Sequence, residues 1–335
     1  MSGDRRRLYA GSLVALVLLL LVPLGVQNGY YLEVLFRVFI FAALGLAWNL
    51  VGGYAGQLSL GHVAYFGVGA YAFTLLALDL GWNPWLGVAG GVAFSLLAAL
   101  VIGSITFRLR GPYFTLATIA TAEILRLLVL NLQDFTRGAI GISTPQLFPA
   151  AAGDRDFYLA AVLLAAVAYA FNLWADRSRF GYYLMAIRED EETAMAVGVN
   201  PARTKLLALL PSAVLTSLGG SLYASSFHFV QPDYVFSIDI SNQAAIVAML
   251  GGAGTALGPV LGSVILIIAS ELFKEVFQTA HLLIYGILIV VVVLFLPGGL
   301  IGLFGRRGRR PRAAALPAAA RGEEGSPRHS SSSSM

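Results

Sequence analysis

The ionisable and nucleophilic side chains of this chain form no catalytic or metal-binding pattern. The sequence has no cysteine, which excludes disulfides, thiolate metal sites and cysteine nucleophiles. Its four histidines are scattered, and no two of them have the spacing of metal ligands. A Gly-x4-Gly-Lys-Ser/Thr loop, which would cradle nucleotide phosphates, is also missing. The sequence therefore predicts a protein that is not an enzyme and has no cofactor or metal site of its own.

Two charged residues, Glu123 and Arg126, stand inside a long run of apolar side chains. Their i, i+3 spacing lets the two side chains pair on one helix face. If the run crosses a membrane, ionisable groups at that depth are expected to face a protein interior or a partner. Two interpretations remain open: a structural ion pair, or a place for Glu123 along a path across the membrane.

Two glycine-rich segments interrupt apolar runs in the two halves of the chain, at 52–61 and 251–258. Glycine lets helices approach closely, or leaves backbone amides free to face an anionic ligand such as a carboxylate. Close packing and a place along a translocation path are both open interpretations. The residues that we predict along such a path are Gln57, Ser59, Gly251, Gly252 and Thr255 of these segments, together with His62, which follows the first segment, and Glu123.

The composition predicts that these residues lie in a membrane protein. Hydrophobic residues make up 58% of the 335 residues and charged residues 12%, whereas soluble domains are about half apolar and a quarter charged. Apolar runs of about 20 residues, enough for one span each, follow one another along the chain. We predict an all-α polytopic membrane protein of about ten spans, some broken or re-entrant. The predicted spans are Leu8–Val26, Tyr31–Val51, His62–Leu80, Trp85–Phe107, Tyr113–Leu130, Phe157–Trp174, Leu206–Phe227, Ser241–Leu250, Pro259–Phe273 and His281–Phe304.

The distribution of Lys and Arg predicts the orientation. Cations cluster at the N-terminus, after the fourth span, in residues 177–205 and after residue 305, while the other loops have few. Because cytoplasmic loops are enriched in Lys and Arg, we expect both termini in the cytoplasm. Residues 1–305 form the predicted membrane domain. Residues 306–335, rich in Arg, Ala, Pro and Ser, are predicted to be a disordered cytoplasmic tail.

The cytoplasmic segment 177–205 has the pattern of two short amphipathic helices. Leu184, Ala186, Ile187, Ala194 and Val197 have helical spacing. Such helices need another surface to cover their apolar face. Gly198 can end the second helix, and Pro201 cannot continue it.

The same segment resembles the coupling region of importer permeases, whose loose pattern is Glu-Ala-Ala, three residues, Gly, nine residues, then Ile-x-Leu-Pro. This chain has Glu192-Thr193-Ala194, then Gly198, then Ala208-Leu209-Leu210-Pro211. We call residues 177–205 the coupling segment. Its residues expected to contact an ATPase subunit are Arg188, Glu189, Asp190, Glu191, Glu192, Ala194 and Gly198.

Longer stretches resemble the branched-chain amino-acid permeases of the LivM type. They are Gly45-Leu-Ala-Trp-Asn-Leu-Val-Gly-Gly-Tyr-Ala-Gly-Gln-Leu-Ser-Leu-Gly61, Arg108-Leu-Arg-Gly-Pro-Tyr-Phe114, Ala186-Ile-Arg-Glu-Asp-Glu191 and Leu250-Gly-Gly-Ala-Gly-Thr-Ala-Leu-Gly-Pro-Val-Leu-Gly262. The chain departs from the family at Gln243, where an acidic residue is frequent, and at Leu296-Pro-Gly-Gly-Leu300, where an Arg is usual.

This resemblance implies a permease subunit of an ATP-binding-cassette importer in the inner membrane. The implied partners are a second, LivH-type permease, two ATPase subunits that bind the ATP, and a periplasmic binding protein, with no nucleic acid. The implied substrates are branched-chain or other hydrophobic amino acids. Two alternatives remain: the same architecture importing urea or short amides, and an ion-coupled amino-acid carrier that needs no ATPase.

Overall fold

The computed structural model describes residues 3–26, 28–148, 153–277, 286 and 299–305. These residues are almost entirely helical, so the predicted all-α class is confirmed. The helices are α1 Gly3–Gly25, α2 Gly29–Trp48, α3 His62–Leu78, α4 Pro84–Thr106, α5 Pro112–Asn131, α6 Gln133–Thr136, α7 Gly153–Arg177, α8 Arg179–Glu189, α9 Glu191–Ala196, α10 Pro201–Phe227, α11 Pro232–Val235, α12 Ile238–Gly251, α13 Gly258–Phe277 and α14 Gly299–Gly305. A π-helical turn, Asn49–Tyr54, follows α2, and a 3₁₀ turn, Gly138–Ile140, follows α6. Two short strands, β1 Ile142–Ser143 and β2 Phe229–Val230, pair antiparallel.

Fewer helices qualify as full spans than the ten predicted. Within the described residues, six segments are long and apolar enough to cross a membrane: Gly29–Tyr54, Pro84–Thr106, Pro112–Asn131, Gly153–Arg177, Pro201–Phe227 and Pro232–Gly251. Helix α3 and the apolar part of α1, Val14–Gly25, are shorter. The predicted tenth span and the predicted tail lie largely outside the described residues. The ten-span count was therefore a loose description of this bundle.

The predicted eighth and ninth spans are two separate helices, α12 and α13, that pack against each other and against α2. Helix α12 has 14 residues, and α11 precedes it so that the two together reach spanning length. The two helices are joined by the turn at residues 252–257.

The core lies between α2, α3, α7 and α10. Its large, fully buried side chains include Trp48, Phe36, Phe66, Phe73 and Tyr158. The segment formed by α2 and the π-helical turn is the most enclosed of the six: 78% of its most apolar stretch is buried, against 17% for α5. Helix α5 therefore lies at the edge of the bundle and presents most of its side chains outward.

The loops gather at two ends of the bundle, as the charge distribution predicted. At one end Arg137, after α5, forms an ion pair with Asp79, after α3, with 3.0 Å between N and O, and Ile142 pairs with Val230. At the other end Arg110, before α5, pairs with Glu192 of α9. The 20 residues of α5 separate these ends by about 30 Å. Which end faces the cytoplasm stays a prediction.

Candidate functional site

The coupling segment folds into the two short helices that the sequence predicted. Ser178 caps α8 by accepting a hydrogen bond from the Gly181 amide. Asp190 separates the helices and caps α9 by accepting a hydrogen bond from the Thr193 amide. That hydrogen bond lowers the pKa of the Asp190 carboxyl, because it stabilises the carboxylate. Both helices thus start at defined polar caps.

The two helices bury one apolar face and expose other apolar side chains. Leu184, Ile187 and Ala194 are buried against the bundle, so this chain itself supplies the surface that the apolar face needs. Ala186 and Val197, which the helical spacing assigned to the same face, are exposed instead, and Val197 is 76% exposed. That assignment was wrong because Ala186 is two residues from Leu184 and one from Ile187 on α8, which puts it off their shared face. Val197 is the residue that follows the last helical position of α9.

Gly198 ends α9 in a left-handed conformation, with φ of +90°. The Val199 amide donates to the Ala194 carbonyl and the Gly198 amide to the Met195 carbonyl, both at 3.0 Å, which is the Schellman pattern of helix ends. The predicted glycine cap is confirmed. A Cβ added at Gly198 would meet no atom of the described residues within 4 Å, so none of these residues covers the turn.

Two ion pairs anchor α9. The ammonium of Lys205, at the start of α10, is fully buried and donates to Glu191 at 2.7 Å. Arg110 donates to Glu192 at 3.0 Å, and both of these side chains are exposed. Glu189, the last residue of α8, is also exposed. Among the acidic residues predicted to contact an ATPase, Glu191 is therefore an internal anchor, whereas Glu189 lies at the surface.

Arg188 joins the coupling segment to both glycine-rich segments. Its Nη1 donates a hydrogen bond to the carbonyl oxygen of Gly53 at 2.7 Å. A Cβ placed at Gly56 would lie 2.8 Å from Cγ of Arg188, and one at Gly254 would lie 2.8 Å from Nη1. The arginine thus contacts both glycine-rich segments, 52–61 and 251–258, which we call the first and the second break. The glycines of the two breaks make room for it. The sequence predicted the coupling segment and the breaks separately and gave no indication that one side chain connects them.

Asn49 holds the two breaks together. Its Oδ1 accepts from the Gly254 amide at 2.7 Å, and its Nδ2 donates to the Thr255 carbonyl and to Oδ1 of Asn172, both at 3.0 Å. Asn49 and Asn172 are fully buried. Sequence reasoning missed this pair, although an asparagine within an otherwise apolar span was a usable indication, because buried amides require partners.

The first break packs its polar groups against neighbouring helices. Nε1 of Trp48 donates to the Ser59 carbonyl at 2.7 Å. Nε2 of His62 lies 2.9 Å from Oγ of Ser212. Gln57 is half-buried and turns back toward the Ala55 carbonyl, 3.5 Å away. Of the predicted path residues, Ser59 and His62 are thus buried inside the chain and Gln57 is partly accessible in this conformation.

The second break is a tight crossing of α12 and α13. A side chain on Gly251 would collide with the backbone of Gly258. Thr255 donates its hydroxyl to the Gly252 carbonyl at 2.7 Å and accepts from the Gly258 amide at 3.1 Å. The glycines therefore allow close helix packing, and these backbone groups are bonded within the chain.

Glu123 lies apart from this assembly, on the outward-facing helix α5. It accepts two hydrogen bonds from Arg126, at 2.9 and 2.6 Å, so the predicted pair forms. Arg126 also donates to Asp233 at the start of α11, a partner that the sequence did not indicate. Both carboxylate side chains are about half exposed, 48% for Glu123 and 53% for Asp233.

Comparison with known proteins agrees with this architecture. Residues 30–293 match the family model described as the branched-chain amino acid transport system permease component. The chain is 31% identical to the high-affinity branched-chain amino acid transport system permease protein LivM of Escherichia coli, over 96% of this chain and 80% of that protein. It is 25% identical to LivH of Escherichia coli over 51% of this chain and 59% of LivH. No solved structure matches significantly.

The chain therefore belongs to the permease family of branched-chain amino acid transport systems. It is a multi-pass membrane protein of helical architecture.

Proposed function

We propose that this chain is the transmembrane subunit of an ATP-binding-cassette importer of branched-chain and other hydrophobic amino acids. It lies in the bacterial inner membrane with both termini in the cytoplasm. It pairs with a LivH-type permease, two ATPase subunits bind its cytoplasmic side, and a periplasmic binding protein delivers the substrate. The observation that carries this proposal is the contact of Arg188 with both helix breaks, because it links a surface segment to the membrane-spanning part.

If the chain itself binds no nucleotide, the energy of ATP hydrolysis must reach it through a surface that contacts a partner. The sequence contains no phosphate-binding Gly-x4-Gly-Lys-Ser/Thr loop. A permease of this kind responds to ATP only through a rigid contact with a partner that hydrolyses it. Helices α8 and α9 are suited to this contact, since Lys205 and Glu191 fix α9 to α10 while Arg188 holds α8 to the breaks.

The outer surface of the coupling segment has the composition of a docking site. Tyr182, Met195 and Val197 are exposed apolar side chains at the end of the bundle that carries Arg110 and Glu192. Exposed apolar groups beside charges are typical of protein interfaces. An ATPase subunit that covers this surface would push directly on α8 and, through Arg188, on the turn after α2.

Two observations support a second permease. The chain resembles both LivM and LivH of Escherichia coli, which are named as permease proteins of one transport system. Helix α5 is apolar, yet it carries exposed charged groups that lipid would not solvate. A related permease that faces α5 across a water-filled path would keep those groups out of lipid.

Reconstitution tests the proposal. This chain, its partner permease and the ATPase are placed in proteoliposomes with binding protein, and uptake of radiolabelled leucine is measured with and without ATP. We expect uptake that needs both ATP and the binding protein. Uptake driven by an ion gradient without ATPase subunits would overturn the importer assignment and favour the ion-coupled carrier. ATP-dependent uptake of urea or acetamide in place of leucine would favour the short-amide alternative.

A further inference from the structure

The ion cluster on α5 is a second candidate binding site, separate from the coupling segment. Arg126 lies between two carboxylates, Glu123 on its own helix and Asp233 on α11. Three of its five N–H groups make the bonds described above, so two remain outside them. With two carboxylates and one guanidinium, the cluster has a formal charge of −1 and presents groups of both signs.

This cluster lies on a segment that is otherwise suited to lipid. Glu123 is the twelfth residue of the 20-residue span α5. Counting from the other end, Arg126 is about 8 Å from the end of the helix at Asn131. In the orientation that the charges predict, that is the periplasmic end. Half-exposed charges at this depth require water or protein around them, because a charged group in hydrocarbon is costly.

A buried hydroxyl beside the cluster also lacks a partner. Tyr71 on α3 is 3% exposed, and its hydroxyl makes no hydrogen bond to any residue that the structure describes. Its ring stacks on Phe236, three residues after Asp233, with centroids 6.0 Å apart. Helix α3 also packs against α11, the helix that carries Asp233. Buried polar groups almost always have a hydrogen-bond partner, so we take this hydroxyl as a candidate to bond a ligand.

We propose that Glu123, Arg126, Asp233 and Tyr71 form a polar station on the translocation path that binds the zwitterionic end of the substrate amino acid. The substrate carboxylate takes the remaining N–H groups of Arg126, and its ammonium lies between Glu123 and Asp233. The excess carboxylate makes this placement electrostatically favourable. The apolar side chain of the substrate lies along exposed apolar residues of α5, such as Leu127. The inference rests on the proposed function, since it concerns how that same importer handles an amino acid.

The first test measures transport in the reconstituted complex. Glu123→Gln and Asp233→Asn keep the side-chain shape and remove the charge. We expect each to lower leucine uptake per folded complex by about tenfold or more, the equivalent of one lost charged hydrogen bond. The matched control is Glu33→Gln, because Glu33 also pairs with an arginine, Arg37, four residues away on α2. It is expected to leave uptake per complex within about twofold of wild type.

The second test measures whether water reaches the cluster. The chain has no native cysteine, so single cysteines at Ala120 and Leu127, on the Glu123 face, report accessibility to a charged maleimide. Leu97 on α4, 59% exposed, is the lipid-facing control. We expect labelling at 120 and 127, slowed by trapping the complex with ATP, and none at 97.

The two tests separate the possible failures. If labelling at 120 and 127 is no greater than at 97, the α5 face is covered by lipid or by the partner permease, and the station does not exist. If Glu123→Gln and Asp233→Asn transport as well as Glu33→Gln, the cluster is only a structural ion pair. Either result overturns the inference while wild-type leucine uptake still supports the proposed function. Loss of uptake in the wild type would instead count against the proposed function itself.

Discussion

Arg188 donates a hydrogen bond to the carbonyl oxygen of Gly53 across 2.7 Å, although 135 residues separate them in the chain. Gly53 is buried in the π-helical turn that continues α2, the most enclosed span of the bundle. Nη1 of the same arginine lies against Gly254 in the turn between α12 and α13. We therefore expect a displacement of α8 to reach two helix breaks at once.

Arg188→Ala removes this connection and leaves the outward surface of α8 intact. We expect ATPase subunits to bind the complex normally, but leucine uptake to fall at least tenfold, as expected for the loss of a charged hydrogen bond. ATP hydrolysis by the complex continues without transport. The measurement is the ratio of leucine transported to ATP hydrolysed in proteoliposomes. Arg179→Ala, which removes the same charge from the first residue of α8, is the control and should leave that ratio unchanged.

Gly198→Asp places a charged side chain in the open space beyond α9. No atom of the described residues lies within 4 Å of an added Cβ there, so the folding cost is limited to the left-handed backbone, about 1 kcal/mol. We expect normal insertion and yield but loss of ATPase co-purification and of uptake, because the side chain occupies the docking surface. Gly81→Asp is the control: its φ is +65°, it also has open space, and it lies at the opposite end of the bundle. Retention of both ATPase binding and uptake in Gly198→Asp would show that the segment is only a connector.

Glu191→Gln leaves the buried ammonium of Lys205 without its counter-charge. We expect a loss of about 2–3 kcal/mol in the stability of the purified chain, because an unpaired buried charge is costly. Lys205→Met should cost less, since the carboxylate of Glu191 is partly exposed and water can solvate it. Thermal unfolding midpoints in detergent, measured for both single variants and the double variant, check this order. Equal effects of the two single variants would contradict the burial argument.

Topology is testable because the sequence has no cysteine of its own. We expect a cysteine at Ser178, in the coupling segment, to react with a membrane-impermeant maleimide only after the cells are opened. A cysteine at Ile140, 84% exposed near the opposite end of α5, should react in intact cells. The reversed pattern would invert the orientation and move the coupling segment away from any cytoplasmic ATPase.

The sequence by itself determined the helical class and most of the span positions. Apolar runs and their flanking charges are local properties, and a run of about 20 apolar residues must satisfy its backbone hydrogen bonds within a helix when it enters lipid. The ends of α4 and α7 fall within a few residues of the prediction. The glycine cap at Gly198 and the Glu123–Arg126 pair were also predictable, because both depend on residues only a few positions apart.

Contacts between distant segments were decided only by the tertiary structure. Asn49 bonds Gly254 and Thr255, more than 200 residues further along the chain, and Arg126 bonds Asp233 across 107 residues. Such pairs depend on which helices become neighbours, and a single sequence carries no periodic pattern that records it. The exposure of Val197 was likewise decided by the folded segment, because α9 ends at Ala196 and Val197 follows its last helical position.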